Sequence, residues 1–193
     1  GIADRTLIVF TSDNGGVCRK TSSNFPLRGE KGQHWEGGTR VPAIVLWPGV
    51  TQPGSVCAEQ AITMDFYPTI LEITGARGNA AHNQNVDGVS LVPVLKDPKA
   101  TLGREALYWH YPHYNVFIGI PYSAIRAGDY KLIHYYEDNH SELYDLAHDL
   151  GETHDLSTEK PEVTARLQKQ LQDHLKQVGA QMPVSNPNFK TPK

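Results

Sequence analysis

Residues 25–42 read FPLRGEKGQHWEGGTRVP, a stretch in which glycine-flexed turns surround a lysine and an arginine set beside several carboxylates. Such a loop is built to hold an anion. Gly29, Gly32, Gly37 and Gly38 offer the backbone positive φ and a close approach to a ligand, while Lys31 offers a compact charge with three donors suited to sulfate or phosphoryl oxygens. The same composition also describes an ordinary solvated connection, so the neighbouring segments decide between the two.

Upstream, residues 6–12 read TLIVFTS, a short apolar run rich in β-branched and aromatic side chains, followed at once by Asp13, Asn14, Gly15 and Gly16. The run predicts a buried strand ending in a polar turn. Two readings of that turn stand side by side. Asn-Gly is the commonest two-residue hairpin signal. A carboxylate and an amide oxygen at the carboxyl end of a strand are also half of a hard-cation site, at the end where open α/β sheets bind their ligands. Calcium takes about six to eight oxygen donors, so further ligands have to come from elsewhere.

Taken together and in order, Asp13-Asn14-Gly15, Leu27-Arg28-Gly29-Glu30-Lys31-Gly32 and Trp35-Glu36-Gly37-Gly38-Thr39-Arg40-Val41-Pro42 resemble the second half of a type I, formylglycine-dependent sulfatase of the alkaline phosphatase superfamily. The resemblance continues through Met64-Asp65-Phe66-Tyr67-Pro68-Thr69-Ile70-Leu71 and Asp87-Gly88-Val89-Ser90-Leu91. It extends to Ala124-Ile125-Arg126-Ala127-Gly128-Asp129-Tyr130-Lys131-Leu132-Ile133 and Glu142-Leu143-Tyr144-Asp145-Leu146. The fold it implies is α/β and alkaline phosphatase-like. Residues 1–100 would carry the end of the large mixed sheet of the catalytic domain, residues 101–182 a small antiparallel sheet packed by a helix, and residues 183–193 a tail.

The resemblance also implies a chemistry, hydrolysis of an aryl or carbohydrate sulfate monoester. Asp13 and Asn14 take the part of calcium ligands and Lys31 that of the catalytic residue, contacting the sulfate and stabilising the leaving group. Glu36 and Arg40 read as an ion pair pinning the loop. The family nucleophile is a Cys or Ser in a Cys-x-Pro-Ser-Arg type motif, oxidised to formylglycine and lying upstream of the Asp-Asn pair. Neither Cys18, in CRKTS, nor Cys57, in CAEQA, fits it. The nucleophile and the paired aspartates that complete the metal site are therefore expected outside this chain, in an upstream half of the catalytic domain. The chain reads as cut inside a domain and inactive alone. Two alternatives remain: a phosphate or phosphonate monoester hydrolase of the same superfamily, and a non-catalytic remnant that binds sulfated glycan. Family members usually work in the periplasm, in lysosomes or as secreted proteins.

His110 and His113, in WHYPHY, sit where a strand gives way to a proline-interrupted aromatic loop. They read either as a wall for a sugar or aryl sulfate or as a surface aromatic cluster. His34, three residues after Lys31, is a third candidate for the same substrate-binding wall. His82, His140, His148, His154 and His174 read as solvent-facing.

Composition narrows the partners. With 18 basic and 21 acidic residues the net charge is −3, and no cluster of basic residues interleaved with aromatics points to nucleic acid. The apolar runs are too short to span a bilayer. Cys18 and Cys57 are compatible with one disulfide or two free thiols.

Periodicity predicts a second buried strand over 41–47, a helix over 63–74 despite Pro68, and a short helix over 91–96. Residues 77–84 read as a surface loop, and a subdomain boundary falls near 98–103. Strands follow over 106–111, 123–127, 130–136 and 142–146, with Gly128-Asp129 as a tight hairpin. Pro161 opens a helix whose apolar stripe is Val163, Leu167, Leu171, Leu175 and Val178.

Overall fold

The structure is a computed structural model that describes residues 1–18, 22–114, 119–184 and 186–187. In chain order the elements are β1 (Ile8–Thr11), α1 (Glu36–Thr39), β2 (Ala43–Leu46), α2 (Phe66–Thr74), α3 (Ala80–Asn83), α4 (Val92–Lys96), β3 (Leu107–Tyr111), β4 (Tyr122–Ala127), β5 (Tyr130–Tyr135), β6 (Ser141–Asp145) and α5 (Pro161–Gln177). They form two compact units. The first comprises Gly1–Asp13 and Val41–Arg104, the second Asn14–Arg40 and Glu105–Lys193. The loop that sequence alone assigns to the first domain thus groups with the C-terminal sheet. Most of the expected tail lies outside the described residues. No helix among the described residues is long and apolar enough to cross a membrane.

In the first unit β1 pairs antiparallel with β2, from Ile8 opposite Leu46 to Thr11 opposite Ala43. These strands were expected to be buried, and they are not. Phe10 is 60% and Ile44 64% exposed, because among the described residues the pair has no covering layer and an apolar strand is buried only where a second layer meets it. The rest of the unit is organised by Asp65, which is fully buried. It sits at the end of a 3-10 turn (Thr63–Asp65) that leads into α2. Its carboxylate accepts the amides of Ile62 at 2.8 Å and Val89 at 3.0 Å. It also takes a two-pronged pair from Arg104, whose Nη1 donates to Oδ2 at 3.0 Å and whose Nη2 bonds Oδ1. One turn along, Thr69 Oγ1 donates to the Asp65 carbonyl and accepts Leu91 N. Pro68 is tolerated in α2 because first-turn amides have no intrahelical partner to lose. Gly75, at φ 68°, ends the helix in the left-handed conformation.

In the second unit β3, β4, β5 and β6 form an antiparallel sheet in that order. The β4–β5 hairpin closes through Gly128 and Asp129, with Gly128 at φ 58°, the sign a two-residue turn requires. The sheet is covered on both faces. One face presents Ile125, Leu132 and Leu143 to Leu167, Leu171 and Leu175 of α5. The other presents Tyr122, Ala124, Ile133, Tyr135 and Tyr144, with Trp35 packed on them. Sequence periodicity anticipates the helix and misses the second cover, since residues 24–40 carry no regular apolar repeat. Val178 does not belong to the stripe. It lies past the last residue of α5 and is 55% exposed. His174 is not simply solvent-facing either, because its ring stacks on Tyr108 with centroids 3.7 Å apart.

Removing the Asp65 carboxylate leaves two amides without their acceptor and Arg104 with the Gln60 carbonyl but no countercharge. Asp65→Ala is expected to lower the unfolding free energy by about 3–5 kcal/mol, measured by urea titration against the unaltered protein.

Candidate active-site loop

Asn24 shapes the loop by bonding its successive strands. Its Oδ1 accepts Gly16 N at 3.1 Å, and its Nδ2 contacts the carbonyls of Gly16, Gly29 and Gly37 at 2.9, 3.1 and 2.9 Å. Gly15 N donates to Gly38 O, Gly37 N to Arg28 O, Gln33 N to Glu30 O and Lys31 N to Gly16 O. Gly29 and Gly32 both adopt φ 83°, as their turns demand. Gly37 and Gly38 correct the sequence reading. They lie in α1 and are not among the residues at positive φ. What they supply is space: a Cβ on Gly37 would overlap the carbonyls of Arg28 and Gly29, and one on Gly38 that of Gln33.

Beneath this loop lies a buried ionic cluster. Lys131 projects from β5 with a side chain only 1% exposed, its Nζ 3.0 Å from Glu36 Oε1 and 2.9 Å from Glu152 Oε1. Glu152 Oε2 accepts Glu36 N at 2.6 Å. Arg126 Nη1 and Arg40 Nη1 lie 3.8 and 3.5 Å from Glu36 Oε2. The expected Glu36–Arg40 pair therefore exists, but Arg40 is the exposed partner and Lys131 the buried one. Arg28 stacks its guanidinium 4.0 Å above the Trp35 ring and donates from Nη1 to Tyr144 OH at 3.1 Å and to the Glu152 carbonyl at 2.9 Å. Desolvation raises the Glu152 pKa against the pull of Lys131. Each buried carboxylate here has an ammonium or guanidinium within ion-pair distance, although Glu152 Oε1 and Arg126 Nε make no hydrogen bond among the described residues.

Against that background Lys31 stands apart. It sits on the turn after Gly29, exposed, and its side chain has no hydrogen-bond or ion-pair partner among the described residues. Its neighbours are engaged, Arg28 as above and Glu30 through Cys18 N at 2.7 Å. An exposed ammonium on a braced backbone is available to an anionic ligand.

His34 is buried, packed against the Trp35, Tyr122 and Tyr135 rings. Its Nε2 lies 2.8 Å from Tyr135 OH, which donates its own proton to Glu142 Oε2 at 2.7 Å. Nε2 therefore carries the proton, and Nδ1 is an acceptor with no partner among the described residues. Desolvation, with Lys131 and Arg28 nearby, lowers the imidazole pKa from 6.5 to about 3. His34 is thus a neutral group under the loop rather than a side chain on its surface.

His110 and His113 separate. On β3, His110 pairs with Ser123 and Trp109 with Ala124, so strand alternation turns His110 to the face that α5 covers. Both its nitrogens are engaged, Nδ1 with Ser123 Oγ at 2.6 Å and Nε2 with Gln181 O at 2.8 Å. The loop bearing Lys31 covers the opposite face. A cavity of about 480 Å³, lined by His134, Tyr136, Leu171, Leu175 and Met182, also lies on the helix face. His113 is exposed and meets Tyr111 edge-on, with centroids 5.6 Å apart.

Asp13 closes the first segment of unit one and Asn14 opens unit two. Asn14 Nδ2 donates to Gly15 O at 3.0 Å. Their oxygens are of the kind calcium accepts, but calcium takes about six to eight. Among the described residues no group of three or more His, Cys, Asp or Glu side chains converges to hold a metal. Each of the two side chains fits calcium in donor type. Cys18 and Cys57 are free and exposed.

Lys131, Glu152, Asn24 and Tyr135 escape a sequence reading. Only Lys131 leaves a trace there, as a charged residue inside YKLIHYY, where both strand faces are apolar.

Comparison with known proteins agrees with this architecture. The profile described as N-sulphoglucosamine sulphohydrolase, C-terminal, matches residues 30–181. A sulfatase of Formosa agariphila is 45% identical over 168 residues, covering 83% of this chain and 30% of its own length. The crystal structure of Ps i-CgsB in complex with k-i-k-neocarrahexaose is similar with a TM-score of 0.74 at 29% identity, over 89% of this chain and 36% of that one. The structure of BT4656 in complex with its substrate D-glucosamine-2-N,6-O-disulfate has a TM-score of 0.72 at 29% identity, over 93% and 36%. The chain spans about a third of the length of these relatives.

His34 yields a test in pH. The unfolded chain binds a proton near pH 6.5 that the folded chain refuses until about pH 3. The unfolded state holds more protons in that window, so stability falls as pH is lowered through it, by up to about 1.4 kcal/mol per pH unit. His134 shifts in the same direction through desolvation, so the comparison is with His34→Gln. Urea titrations at pH 7, 6 and 5 should show a shallower decline in the variant.

Proposed function

The chain belongs to the N-sulphoglucosamine sulphohydrolase C-terminal family of sulfatases, and from that premise we propose that it is the C-terminal part of a sulfuric ester hydrolase whose Lys31 contacts the sulfate group. The observation that carries the assignment is the contrast inside residues 28–36. Arg28, Glu30 and Glu36 are all engaged, while the Lys31 ammonium stands exposed on a backbone that two positive-φ glycines flank.

Cleaving the S–O bond of a sulfate monoester puts negative charge on the departing oxygen. An ammonium fixed beside that oxygen interacts with it more strongly in the transition state than in the ground state, which is the condition for accelerating the step. Asp13 and Asn14 would hold part of the shell of a calcium ion, which when bound supplies a Lewis acid for the sulfate oxygens. Neither Cys18 nor Cys57 lies in a nucleophile motif, so the formylglycine nucleophile is proposed to come from outside this chain, and the 193 residues alone to be inactive. The full-length enzyme is proposed to act outside the cytoplasm.

A sulfated carbohydrate is the proposed substrate, supported by the sulfated sugar named with BT4656. His113 and Tyr111 would form part of the wall against the sugar, aromatic edges being suited to its apolar face. His110 is left out of that wall, because it faces α5 with both nitrogens engaged. His34 is proposed to act from beneath, supporting Tyr135 and Trp35.

In the full-length enzyme Lys31→Ala should lower kcat by about 10²-fold or more, the loss of one preorganised donor. A kcat within a factor of two of the unaltered enzyme would dismiss the role. His113→Ala should raise KM for a sulfated sugar more than for a small aryl sulfate, with Tm unchanged. Equal effects on both substrates would count against a sugar wall.

A further inference from the structure

A single residue clamps both ends of the stretch that carries Lys31. At one end Arg28 Nη1 donates to the backbone carbonyl of Glu152 at 2.9 Å, and at the other Glu36 N donates to Glu152 Oε2 at 2.6 Å. The remaining carboxylate oxygen of Glu152 lies 2.9 Å from Lys131 Nζ, which is 3.0 Å from Glu36 Oε1. Glu36, Glu152 and Lys131 thus close a ring, and none of the three is more than 2% exposed. Glu152 is held at φ 51°, a left-handed conformation uncommon outside glycine. Such a conformation persists only where the surroundings over-determine it.

Burying these charges is costly, and apolar side chains of the same volume would pack without that cost. What the charged ring supplies is direction. Hydrogen bonds hold a donor within tenths of an ångström and a restricted angle, so the backbone between Arg28 and Glu36 is fixed at both ends relative to β5. Lys31 lies between the clamps, its own amide bound to Gly16 O at 3.1 Å. Its ammonium rides on a flexible four-carbon stem, so the placement of its Cα decides where the charge can reach.

We propose that Glu152 and Lys131 are positioning residues for Lys31: through the buried ring they set the loop so that its ammonium meets the sulfate. The inference rests on the assignment of Lys31 to the sulfate. It adds a function to the small C-terminal sheet, which on this view orients a catalytic group as well as closing the fold.

The test is a double-mutant cycle in the full-length enzyme. Glu152→Gln keeps the volume and one carbonyl acceptor but removes the carboxylate that serves Glu36 N and Lys131 together. Lys131→Met removes the ammonium. Each is made alone and with Lys31→Ala, and kcat and KM for an aryl sulfate are normalised to the folded fraction. Hydrogen exchange is followed at the amides of residues 29–36.

Each single variant is expected to lower kcat by up to about 10²-fold, the scale of a misplacement of about 1 Å, with KM little changed. Added to Lys31→Ala, neither should cause further loss. The amides of 29–36 should exchange at least about tenfold faster in Glu152→Gln, with β4 and β5 unchanged. Losses that multiply with that of Lys31→Ala, or exchange that stays unchanged, overturn the proposal. If Lys131→Met does not fold, Glu152→Gln decides. If Lys31→Ala by itself leaves kcat unchanged, the assignment of Lys31 fails and this inference with it, a result distinct from either of the other two.

Discussion

An ammonium group taken out of water needs negative charge against it, and the second unit is arranged around that requirement at Lys131. With its side chain 1% exposed, Lys131 draws Glu36 from the loop and Glu152 from the turn after β6 to 3.0 and 2.9 Å. The two carboxylates exceed the single ammonium, and Arg126 and Arg40 at the far oxygen of Glu36 supply the balance. Elements distant in sequence are thereby brought to one point. Either carboxylate without Lys131 would be a buried charge with too little against it, which the interior tolerates poorly.

The first unit repeats the principle with the sign reversed. There a carboxylate, Asp65, is buried and receives two backbone amides and the Arg104 guanidinium. Each unit therefore has a polar centre around which irregular segments are set, while regular apolar packing does the rest. The division of labour is clear in the C-terminal sheet. Its helix face is held chiefly by leucines, its loop face by aromatic packing and, in addition, by directional bonds. The loop that carries Lys31 lies on the second kind of surface.

Sulfatase membership makes sense of the exposed apolar strands. Phe10, Ile44 and Leu46 stay open to solvent, while this chain spans about a third of its relatives' length. Apolar patches of this kind mark interaction surfaces. The C-terminal sheet, by contrast, has both faces filled from within its own unit.

Much of the architecture is legible from local pattern. The Gly128-Asp129 hairpin, the strands on either side of it and the helix from Pro161 follow from turn chemistry and apolar period, which neighbouring residues determine among themselves. Motif order places the loop around Lys31 within the sulfatase family. Tertiary structure alone decides the rest. That Gly37 and Gly38 serve close approach rather than positive φ depends on the carbonyls they meet across the loop. Alternation along β3 puts His110 and Trp109 on opposite faces, but only the placement of α5 and the loop says which face is which. The neutrality of His34 comes from burial and from Tyr135, 101 positions away in sequence. Lys131 and Glu152 stand in an ordinary strand and an ordinary turn, and what makes them a clamp is charge compensation between segments that meet only when the chain has folded.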